Sequence, residues 1–357
     1  MAIELRALTI DDASPVHRIC AHAAVARSIG GLPTDGLEGW KKRIVTLPHE
    51  RSSFVGAFED GELRGVAMLD GQLRARRRHI AKVWAAVHPD AWGRGIGRQL
   101  VGALCEGSDR WWGFVRLELD VHADHAPAIR LYESLGFERE VRKRCDMLRD
   151  GEIVDGLHMG RIRPGFVAPP ELCAPPEIRA RGPRLDARAI VIRPHRADDA
   201  ESMARLQSSE SVMEGTFATP FQSEREWRSR LSGDDGSVRG VVALVDGALA
   251  GSAAIFASSS PRIVHAAGFG ISVDPDFQGR GVGDALTKAC LELADRWMGA
   301  RRVQLEVYSD NARAQALYRK HGFEPEGVQR VSSFRRGTYA DAVVMSRIRA
   351  PSPASAS

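Results

Sequence analysis

One glycine-rich turn in the second half of the chain combines residue types and a spacing that suit phosphate chemistry. The segment Gln278–Gly283 reads Gln-Gly-Arg-Gly-Val-Gly and stands between a predicted strand and a predicted helix. Three glycines within five residues allow tight backbone bends and remove side chains that would block a ligand. The first amides of the following helix have no intrahelical acceptor, and the helix dipole adds partial positive charge. The turn therefore predicts a cradle for a diphosphate group.

Two other phosphate-binding motifs fit this turn less well. A dinucleotide-binding motif requires Gly-x-Gly-x-x-Gly followed by an acidic residue after a second strand, and the spacing here does not supply them. The Gly-Lys-Ser/Thr sequence of a P-loop is also missing from the turn. A glycine-rich turn alone is weak evidence, so the interpretation depends on the residues around it.

The same turn occurs a second time, because the chain repeats itself. Val87–Gly97 aligns with Val273–Gly283 at an offset of 186 residues, and the alignment continues without a gap as far as Met159. Near the N-terminus the offset is 187, with Arg6 aligned to Arg193. A repeat of this length predicts two domains of the same fold in tandem.

Composition indicates where the two domains end. The segment from Pro164 to Pro183 is rich in proline, which favours extended backbone and a semi-rigid connector. The last residues, Ala-Pro-Ser-Pro-Ala-Ser-Ala-Ser, cannot bury a core. We therefore expect an N-terminal domain at 1–163, a Pro-rich linker at 164–189, a C-terminal domain at 190–349 and a disordered tail at 350–357.

Each half shows the pattern of an α+β domain. In the second half we expect, in order, a strand at Ile190–Arg193, strands on either side of a turn at Asp246-Gly247, a strand at Ala266–Val273, a helix from Gly281 to Asp295, a strand at Val303–Val307, a helix at Ala312–Lys320 and two closing strands. This order predicts a mixed, mostly antiparallel, twisted sheet flanked by helices.

Composition also excludes several classes of protein. The 357 residues are 43% hydrophobic and 27% charged, an ordinary globular balance. No apolar run is long enough to span a membrane and the N-terminus lacks a signal-peptide pattern, so we expect a cytosolic protein. Five scattered cysteines without metal-ligand spacing predict neither a zinc site nor disulfides. The net charge is only +4, and we interpret the one dense basic cluster, Arg74–His79, as a solvated loop rather than a nucleic-acid patch.

The residues that follow the turn make the chemistry more specific. Leu305–Asn311 reads Leu-Glu-Val-Tyr-Ser-Asp-Asn, Ala312–Tyr318 ends in Leu-Tyr, and Lys320–Phe323 reads Lys-His-Gly-Phe. With the Gln-x-x-Gly-x-Gly turn, these motifs closely resemble the GCN5-related N-acetyltransferase (GNAT) superfamily, and the resemblance extends over both halves. It implies two tandem GNAT folds and acetyl-CoA as the donor. The implied donor-binding residues are Val273, Gln278, Gly279, Arg280, Gly281, Val282, Gly283 and Asn311.

Acetyl transfer to an amine imposes demands that particular side chains could meet. The amine must lose a proton before it attacks, and the departing thiolate needs one. The resemblance makes Tyr318 the candidate acid and Glu306, twelve residues earlier, the candidate base. Tyr318 could instead be a packing aromatic, Glu306 could be a solvated strand acid, and a chain of waters could replace the base.

The first half keeps the glycines but departs from the pattern elsewhere. Tyr132 and Asp120 occupy the places of the acid and the base. Trp92 stands where Gln278 stands, His125 where Asn311 stands, and Trp84 where Gly270 stands. An indole at position 84 could shape an acceptor pocket or obstruct it. We expect donor binding to be retained, through Val87, Trp92, Gly93, Arg94, Gly95, Ile96, Gly97 and His125.

The acceptor is less well defined than the donor. The closing segment from Arg336 to Met345 resembles the bacterial L-amino-acid and phosphinothricin-type branch of the superfamily, which implies a free amino acid or a related small amine. Polyamines, aminoglycosides and protein N-termini stay open, and acids such as Glu214 in the variable segment Val212–Trp227 could line a polyamine pocket. Two further hypotheses are a tandem whose first half binds acyl-CoA without catalysis, and a binding module without activity. We expect a monomer, as an internal pseudo-dimer, or a homodimer, with no metal.

Overall fold

The computed structural model describes residues 3–32, 34–46, 50–173, 182–233 and 236–349. The chain divides into two compact units. The first comprises Met1–Lys143, Leu148–Ala168 and Arg330–Phe334, and the second comprises Arg144–Met147, Pro169–Gln329 and Arg335–Ser357. The expected tail at 350–357 and part of the linker, residues 174–181, lie outside the described residues. The domain boundaries drawn from composition stay a prediction.

The N-terminal half forms a seven-stranded sheet with helices on its faces. The strand order is β1-β2-β3-β4-β5-β7-β6, with β4 and β5 parallel and the other registered neighbours antiparallel. The strands are β1 Glu4–Ala7, β2 Ser52–Glu59, β3 Glu62–Gly71, β4 Ile80–Val87, β5 Arg116–His122, β6 Glu138–Arg149 and β7 Glu152–Ile162. The helices are α1 Ala13–Ala21, α2 Ala23–Ser28, α3 Leu37–Thr46, α4 Ile96–Gly107 and α5 Ala126–Glu133.

The C-terminal half repeats this arrangement element by element. Its strand order is β8-β9-β10-β11-β12-β14-β13, and β11 and β12 are its parallel pair. The strands are β8 Val191–Pro194, β9 Val238–Val245, β10 Ala248–Ala257, β11 Ala266–Val273, β12 Arg302–Tyr308, β13 Glu324–Arg335 and β14 Thr338–Ile348. The helices are α6 Ala200–Ser208, α7 Glu210–Gly215, α8 Glu224–Ser232, α9 Val282–Arg296 and α10 Ala312–Lys320.

The pattern of apolar residues explains how α9 packs against the sheet. Along β12, Val303, Leu305 and Val307 alternate with polar residues, so one face of the strand is apolar. Along α9, Leu286 and Cys290 are four residues apart and are fully buried. These residues share one core cluster, which fixes α9 against the sheet. The start of α9 is therefore held beside the ends of β11 and β12.

The elements expected in the second half are confirmed to within two residues. The strand at Ala266–Val273 and the helix at Ala312–Lys320 have the predicted bounds. The long helix begins one residue later than predicted, at Val282, because Gly281 adopts a left-handed conformation and precedes the helix. Glycine and the alternating apolar pattern act locally, so the sequence reports them directly.

Paired charges repeat along with the fold. Arg6 donates two hydrogen bonds to Asp12, both of 2.8 Å, and Arg193 makes the same pair with Asp199 at 2.8 and 2.6 Å. In each half this bidentate pair ties the first strand to the turn that opens the first helix. The repeat is therefore preserved in geometry as well as in residue type.

The basic cluster Arg74–His79 is not the wholly solvated loop that the sequence suggested. Arg74 and Arg78 are exposed, but Arg77 is buried and lies 3.4 Å from the buried carboxylate of Glu118. Burial lowers the pKa of His79 to about 4, so its ring is neutral at pH 7. Arg77 and His79 directly precede β4, whose first residue, Ile80, is buried, and this position brings both side chains towards the interior. Among the described helices, none combines the length and the apolarity needed to cross a bilayer.

Candidate functional site

The site begins where two parallel strands separate. Strands β11 and β12 are paired over only three residues, from Ala266 to Gly268 opposite Arg302 to Gln304. Beyond this point β11 continues to Val273, and its last three residues line a cavity of about 500 Å³. Strands β4 and β5 are likewise paired only at Ile80–Lys82. In each half, backbone at the end of a strand is therefore left facing a gap.

The glycine-rich turn lies at the mouth of this gap. Gly279 has φ of 76° and Gly281 has φ of 100°, and the corresponding Gly93 and Gly95 have 75° and 78°. These values lie in the left-handed region, where a side chain would be strained. Two glycines of each turn are therefore required by the backbone.

The third glycine of each turn has a packing role that the sequence did not predict. A Cβ on Gly283 would lie 3.2 Å from Leu317 Cδ2, and one on Gly97 would lie 3.2 Å from Leu131 Cδ2. These leucines belong to α10 and α5, which pack against the starts of α9 and α4. The third glycine therefore allows close helix packing, and Gly283 lines the cavity as well, so its expected part in leaving space for a ligand stays a prediction.

The turn presents backbone amides rather than side chains. Val282 and Ile96, the first residues of the two helices, have buried side chains, with 0% and 1% exposure. Only their N–H groups could reach a ligand, and the first turn of a helix leaves such groups without intrahelical acceptors. Arg280 stacks over Phe277, whereas Arg94 forms an ion pair with the buried Glu59.

Gln278 and Trp92 prove to be equivalent in geometry despite their different chemistry. Gln278 Nε2 donates a hydrogen bond of 3.1 Å to the Val273 carbonyl, and Trp92 Nε1 donates one of 2.7 Å to the Val87 carbonyl. Each side chain closes the turn onto the end of the preceding strand. The tryptophan therefore preserves the shape of the turn in the first half.

Asn311 and His125 are equivalent in the same way. Asn311 Oδ1 accepts a hydrogen bond from the amide of Ala314, and His125 Nδ1 accepts one from the amide of Ala128. Both side chains therefore cap the N-terminus of the helix that carries the candidate acid. Asn311 also lines the cavity, so its second amide atom, Nδ2, can still face a ligand.

The cavity brings most of the predicted residues of the second half together. Tyr318 lines it, with its ring packed against Phe269 and Phe323 at centroid distances of 6.2 and 5.9 Å. Burial raises the pKa of the Tyr318 hydroxyl, which is therefore protonated at neutral pH. The cavity lining includes Val273, Gln278, Gly279, Gly281, Gly283, Asn311 and Tyr318, but not Arg280, Val282 or Glu306.

The candidate base, Glu306, is separated from this cavity. Its side chain is exposed on β12, on the strand face opposite Leu305. The carboxylates that do line the cavity are Glu214, Asp284 and Asp310. The structure thus places the acid and the base on different surfaces of the same unit, and the role of Glu306 stays a prediction.

A cluster of paired charges that the sequence did not reveal also lines the cavity. The side chains of Arg335 and Arg336 are 7% and 3% exposed. Arg335 lies 2.5 Å from Asp310 Oδ2, and Arg336 lies 3.0 Å from the same atom and 3.2 Å from Glu214 Oε2. Glu214 belongs to the variable segment Val212–Trp227, which was expected to shape the acceptor pocket. Of the sequence features, only the Arg336-Gly337 turn between the two closing strands could have indicated this cluster.

In the first half, the candidate acid, Tyr132, has apolar surroundings and the candidate base, Asp120, has charged ones. Tyr132 is buried against Phe137, and burial raises its pKa to about 12. Asp120 lies 2.6 Å from Lys143, 2.9 Å from His158 and 3.2 Å from Lys82. Desolvation by itself would raise the pKa of Asp120, but its interactions with Lys143, His158 and Lys82 outweigh this effect and hold the pKa well below its usual range. A carboxylate held in this way is a weak proton acceptor.

Trp84 occupies the other face of the first sheet from the glycine-rich turn. Its ring stacks on Trp40 at 5.9 Å and meets Phe54 edge-on at 6.4 Å. This cluster packs under α1 and α3, whereas α4 covers the opposite face. Trp84 therefore fills the space beneath α1 and α3. Trp40 is itself buried, with 6% exposure.

Comparisons with known proteins agree with this geometry. The model of the acetyltransferase (GNAT) family matches residues 26–137 and 201–323. L-amino acid N-acetyltransferase AaaT of Escherichia coli is 36% identical over 160 residues, which are 45% of this chain and 98% of that protein. Mycothiol acetyltransferase of Saccharomonospora viridis is 28% identical over 322 residues, covering 88% of this chain and 93% of that protein.

A similarity to solved structures was also found. The structure of yncA, a putative acetyltransferase from Salmonella typhimurium with its cofactor acetyl-CoA, is 22% identical, with a TM-score of 0.43, and covers 48% of this chain and 99% of that chain. The two family matches cover more than half of the sequence, one in each repeat. The chain therefore belongs to the acetyltransferase (GNAT) family, contains two domains of that family and is an N-acetyltransferase.

Proposed function

We propose that the second half of the chain transfers the acetyl group of acetyl-CoA to the primary amine of a free amino acid or a related small amine. The observation that carries this proposal is the cavity in which the glycine-rich turn, the ends of the separated strands and Tyr318 meet. The donor supplies the acetyl group as a thioester. The protein binds and orients the donor and moves the protons.

The residues present fit such a donor. The turn presents amides at the start of α9, and Gly279 and Gly281 leave no side chains over them. The cavity, at about 500 Å³, has the size of a small-molecule site. We assign the diphosphate to the amides around Arg280–Gly283 and the pantetheine arm to the end of β11 at Val273.

Tyr318 is proposed as the proton donor to the departing thiolate. Tyr318 lines the same cavity as the turn, and the raised pKa of its hydroxyl keeps it protonated until a strong base forms beside it. The acceptor amine must reach the site without its proton, because an ammonium has no lone pair. Glu306 could remove this proton only through solvent, since it does not line the cavity. A water relay is the alternative that this position favours.

The paired charges at the acceptor end favour an amino acid over a polyamine. Glu214 and Asp310 form ion pairs with Arg335 and Arg336. Their negative charges are therefore compensated, and the pocket lacks the uncompensated acidic surface that a polycation would need. An amino acid carries one cationic and one anionic group, which matches a lining of both signs. The match with an L-amino acid N-acetyltransferase supports the same acceptor class.

A second candidate function for the first half has specific support. There the proposed base, Asp120, is held by Lys82, Lys143 and His158, whereas the glycines of the turn are intact. We therefore keep the alternative in which the first half binds acyl-CoA without catalysis and the second half is active. In that alternative the acceptor could be a polyamine, an aminoglycoside or a protein N-terminus. A cytosolic location and a monomer or homodimer stay predictions.

Release of thiol with a panel of amines tests the acceptor. Free amino acids are expected to be acetylated faster than their decarboxylated amines and faster than spermidine. Arg336→Gln should raise the KM for the amino acid about tenfold, because one charge-assisted contact is lost, and should leave the affinity for acetyl-CoA unchanged. Arg228→Gln, an exposed arginine on α8, is the matched control. Preference for spermidine by the wild type would contradict the proposed acceptor.

A further inference from the structure

The end of the connector before the second sheet lies directly on the glycine-rich turn. The amide of Leu185 donates a hydrogen bond of 2.9 Å to the carbonyl of Arg280, the central residue of the turn. The side chains of Leu185 and Ile190 pack against the core of the second unit. Asp186 then caps a short 3-10 turn by accepting a hydrogen bond from the amide of Arg188. This part of the connector is therefore built into the donor side of the unit.

The bond between Leu185 and Arg280 brings one charged side chain over the turn. Arg184 lines the same cavity as the glycines. Its Cγ and Nε lie 3.7 Å from the point where a Cβ on Gly281 would be, and this is the residue that precedes α9. The guanidinium therefore lies beside the amides to which we assign the diphosphate.

The present partner of Arg184 holds it only weakly. Arg184 Nη2 is 3.5 Å from Asp284 Oδ2, and the arginine side chain is 70% exposed. Asp284 is already engaged by two other groups, since it also bonds Lys320 and His321. An exposed ion pair at this distance contributes little free energy. The guanidinium can therefore turn to an anion at the start of α9 at small cost.

We propose that Arg184 binds the diphosphate of the acyl donor, so that the connector forms one wall of the donor site in the second half. A guanidinium presents several N–H donors in a plane and suits phosphate oxygens better than any other side chain. It complements the amides of the turn, which approach from the protein side, by covering the exposed side. This proposal rests on the proposed function, because it assumes that the cavity holds an acyl-CoA.

Titration calorimetry with CoA and with 3′-dephospho-CoA tests the assignment. Arg184→Gln should weaken the binding of both ligands at the second-half site by about fivefold, because both retain the diphosphate and one exposed charge-assisted contact is lost. Arg184→Glu should weaken both by about twentyfold, since it adds repulsion. Arg188→Gln removes the same charge from the same connector away from the cavity and should change neither affinity. Raising the salt concentration should narrow the gap between wild type and Arg184→Gln.

Each outcome separates this inference from the proposed function. Equal affinities for wild type and Arg184→Gln, with wild type binding CoA, would overturn the inference and leave the donor assignment standing. A loss seen with CoA but not with dephospho-CoA would place Arg184 on the 3′-phosphate and contradict the diphosphate assignment. If wild type bound neither ligand, the proposed function itself would fail. Arg184→Lys, which keeps the charge but loses the planar fork, should recover part of the affinity.

Discussion

At the scale of single residues, two tyrosines with the same sequence context have different neighbourhoods. Tyr318 lines a cavity that contains the donor turn, and Glu306, the candidate base of the same half, is exposed on β12 outside that cavity. Tyr132 belongs to a half in which the corresponding acid, Asp120, is held by Lys82, Lys143 and His158. The two halves should therefore differ in catalysis more than they differ in fold.

Replacing each tyrosine separately measures this difference. Tyr318→Phe should lower kcat about 100-fold, the lower end of the usual contribution of a positioned proton donor, while the affinity for acetyl-CoA stays unchanged. Thiol release with an amino acid acceptor is the measurement. Tyr132→Phe is the matched control and should leave kcat within about twofold of wild type if only the second half is catalytic.

The results can also go against these assignments. A large fall with both variants would make both halves catalytic, and Asp120 would have to be reconsidered as a base. An unchanged kcat with Tyr318→Phe would remove the assignment of the proton donor. Either outcome leaves the fold and the donor site untouched, because they rest on other residues.

Residue types and spacing predict some of the site but miss its cross-element contacts. The cavity position of Tyr318 follows from a local motif, as does the closing of the turn by Gln278. Neither the separation of Glu306 from the cavity nor the Arg335–Asp310 pair could be foreseen. Such contacts depend on strand register and on loops that are distant in sequence, and one sequence does not specify them.

At the scale of elements, each turn depends on glycines whose backbone no other residue adopts easily. Gly281→Ala should place an alanine at φ of 100° and displace the start of α9, so that the affinity of the second-half site for acetyl-CoA falls about tenfold. Titration calorimetry is the measurement. Gly299→Ala is the matched control, because Gly299 also has positive φ, at 62°, but follows α9 at its far end.

The control separates strain from binding. Both variants should lower the melting temperature by a similar amount, since both strain the backbone. Only Gly281→Ala should change the affinity for the donor. Equal donor affinities in the two variants would show that the geometry of this turn does not determine binding.

The bidentate pair at the start of each half should make stability depend on pH. The pKa of Asp12 is lowered from 3.8 to about 2, first by its hydrogen bonds with Arg6. The folded state therefore binds the proton less readily than the unfolded state, so the stabilisation is complete above pH 4 and is lost as pH falls towards 2. Asp12→Asn should lower the free energy of unfolding by about 2 kcal/mol at pH 7 and by much less at pH 2.5.

Urea unfolding at the two pH values is the measurement. Asp11→Asn removes an exposed carboxylate one residue away and serves as the control. Asp199→Asn should reproduce the effect in the second half, because Arg193 makes the same pair. A destabilisation by Asp12→Asn that did not depend on pH would point to lost packing rather than to the ion pair.

The sequence predicts the bounds of helices and strands more accurately than it predicts networks of charged side chains. The helix at Ala312–Lys320 and the strand at Ala266–Val273 were predicted without error because capping residues and apolar alternation act within a few residues. The burial of Arg77 was missed because it depends on Glu118, which lies in β5, 41 residues further along the chain. The packing role of the third glycine was missed because its helix neighbour, Leu317, lies 34 residues away in sequence.

At the scale of the whole molecule, the repeated fold carries two donor turns that differ in the basic residues around them. The second turn has Arg184, Arg313 and Lys320 along its cavity, and a single carboxylate, that of Asp284, is shared between Arg184 and Lys320. In the first turn, the loop arginine Arg94 is already paired with Glu59, which reduces the charge available for a ligand. Donor binding should therefore be tighter in the second half than in the first.

Calorimetric titration of acetyl-CoA into the full-length chain tests the donor turns most directly, with wild type compared with Gly95→Val and Gly281→Val. We expect two binding sites in wild type, with loss of the weaker site in Gly95→Val and of the tighter site in Gly281→Val. An absence of binding heat in wild type, or the same stoichiometry and affinities in all three proteins, would contradict the assignment of the glycine-bordered amides to the diphosphate of the donor.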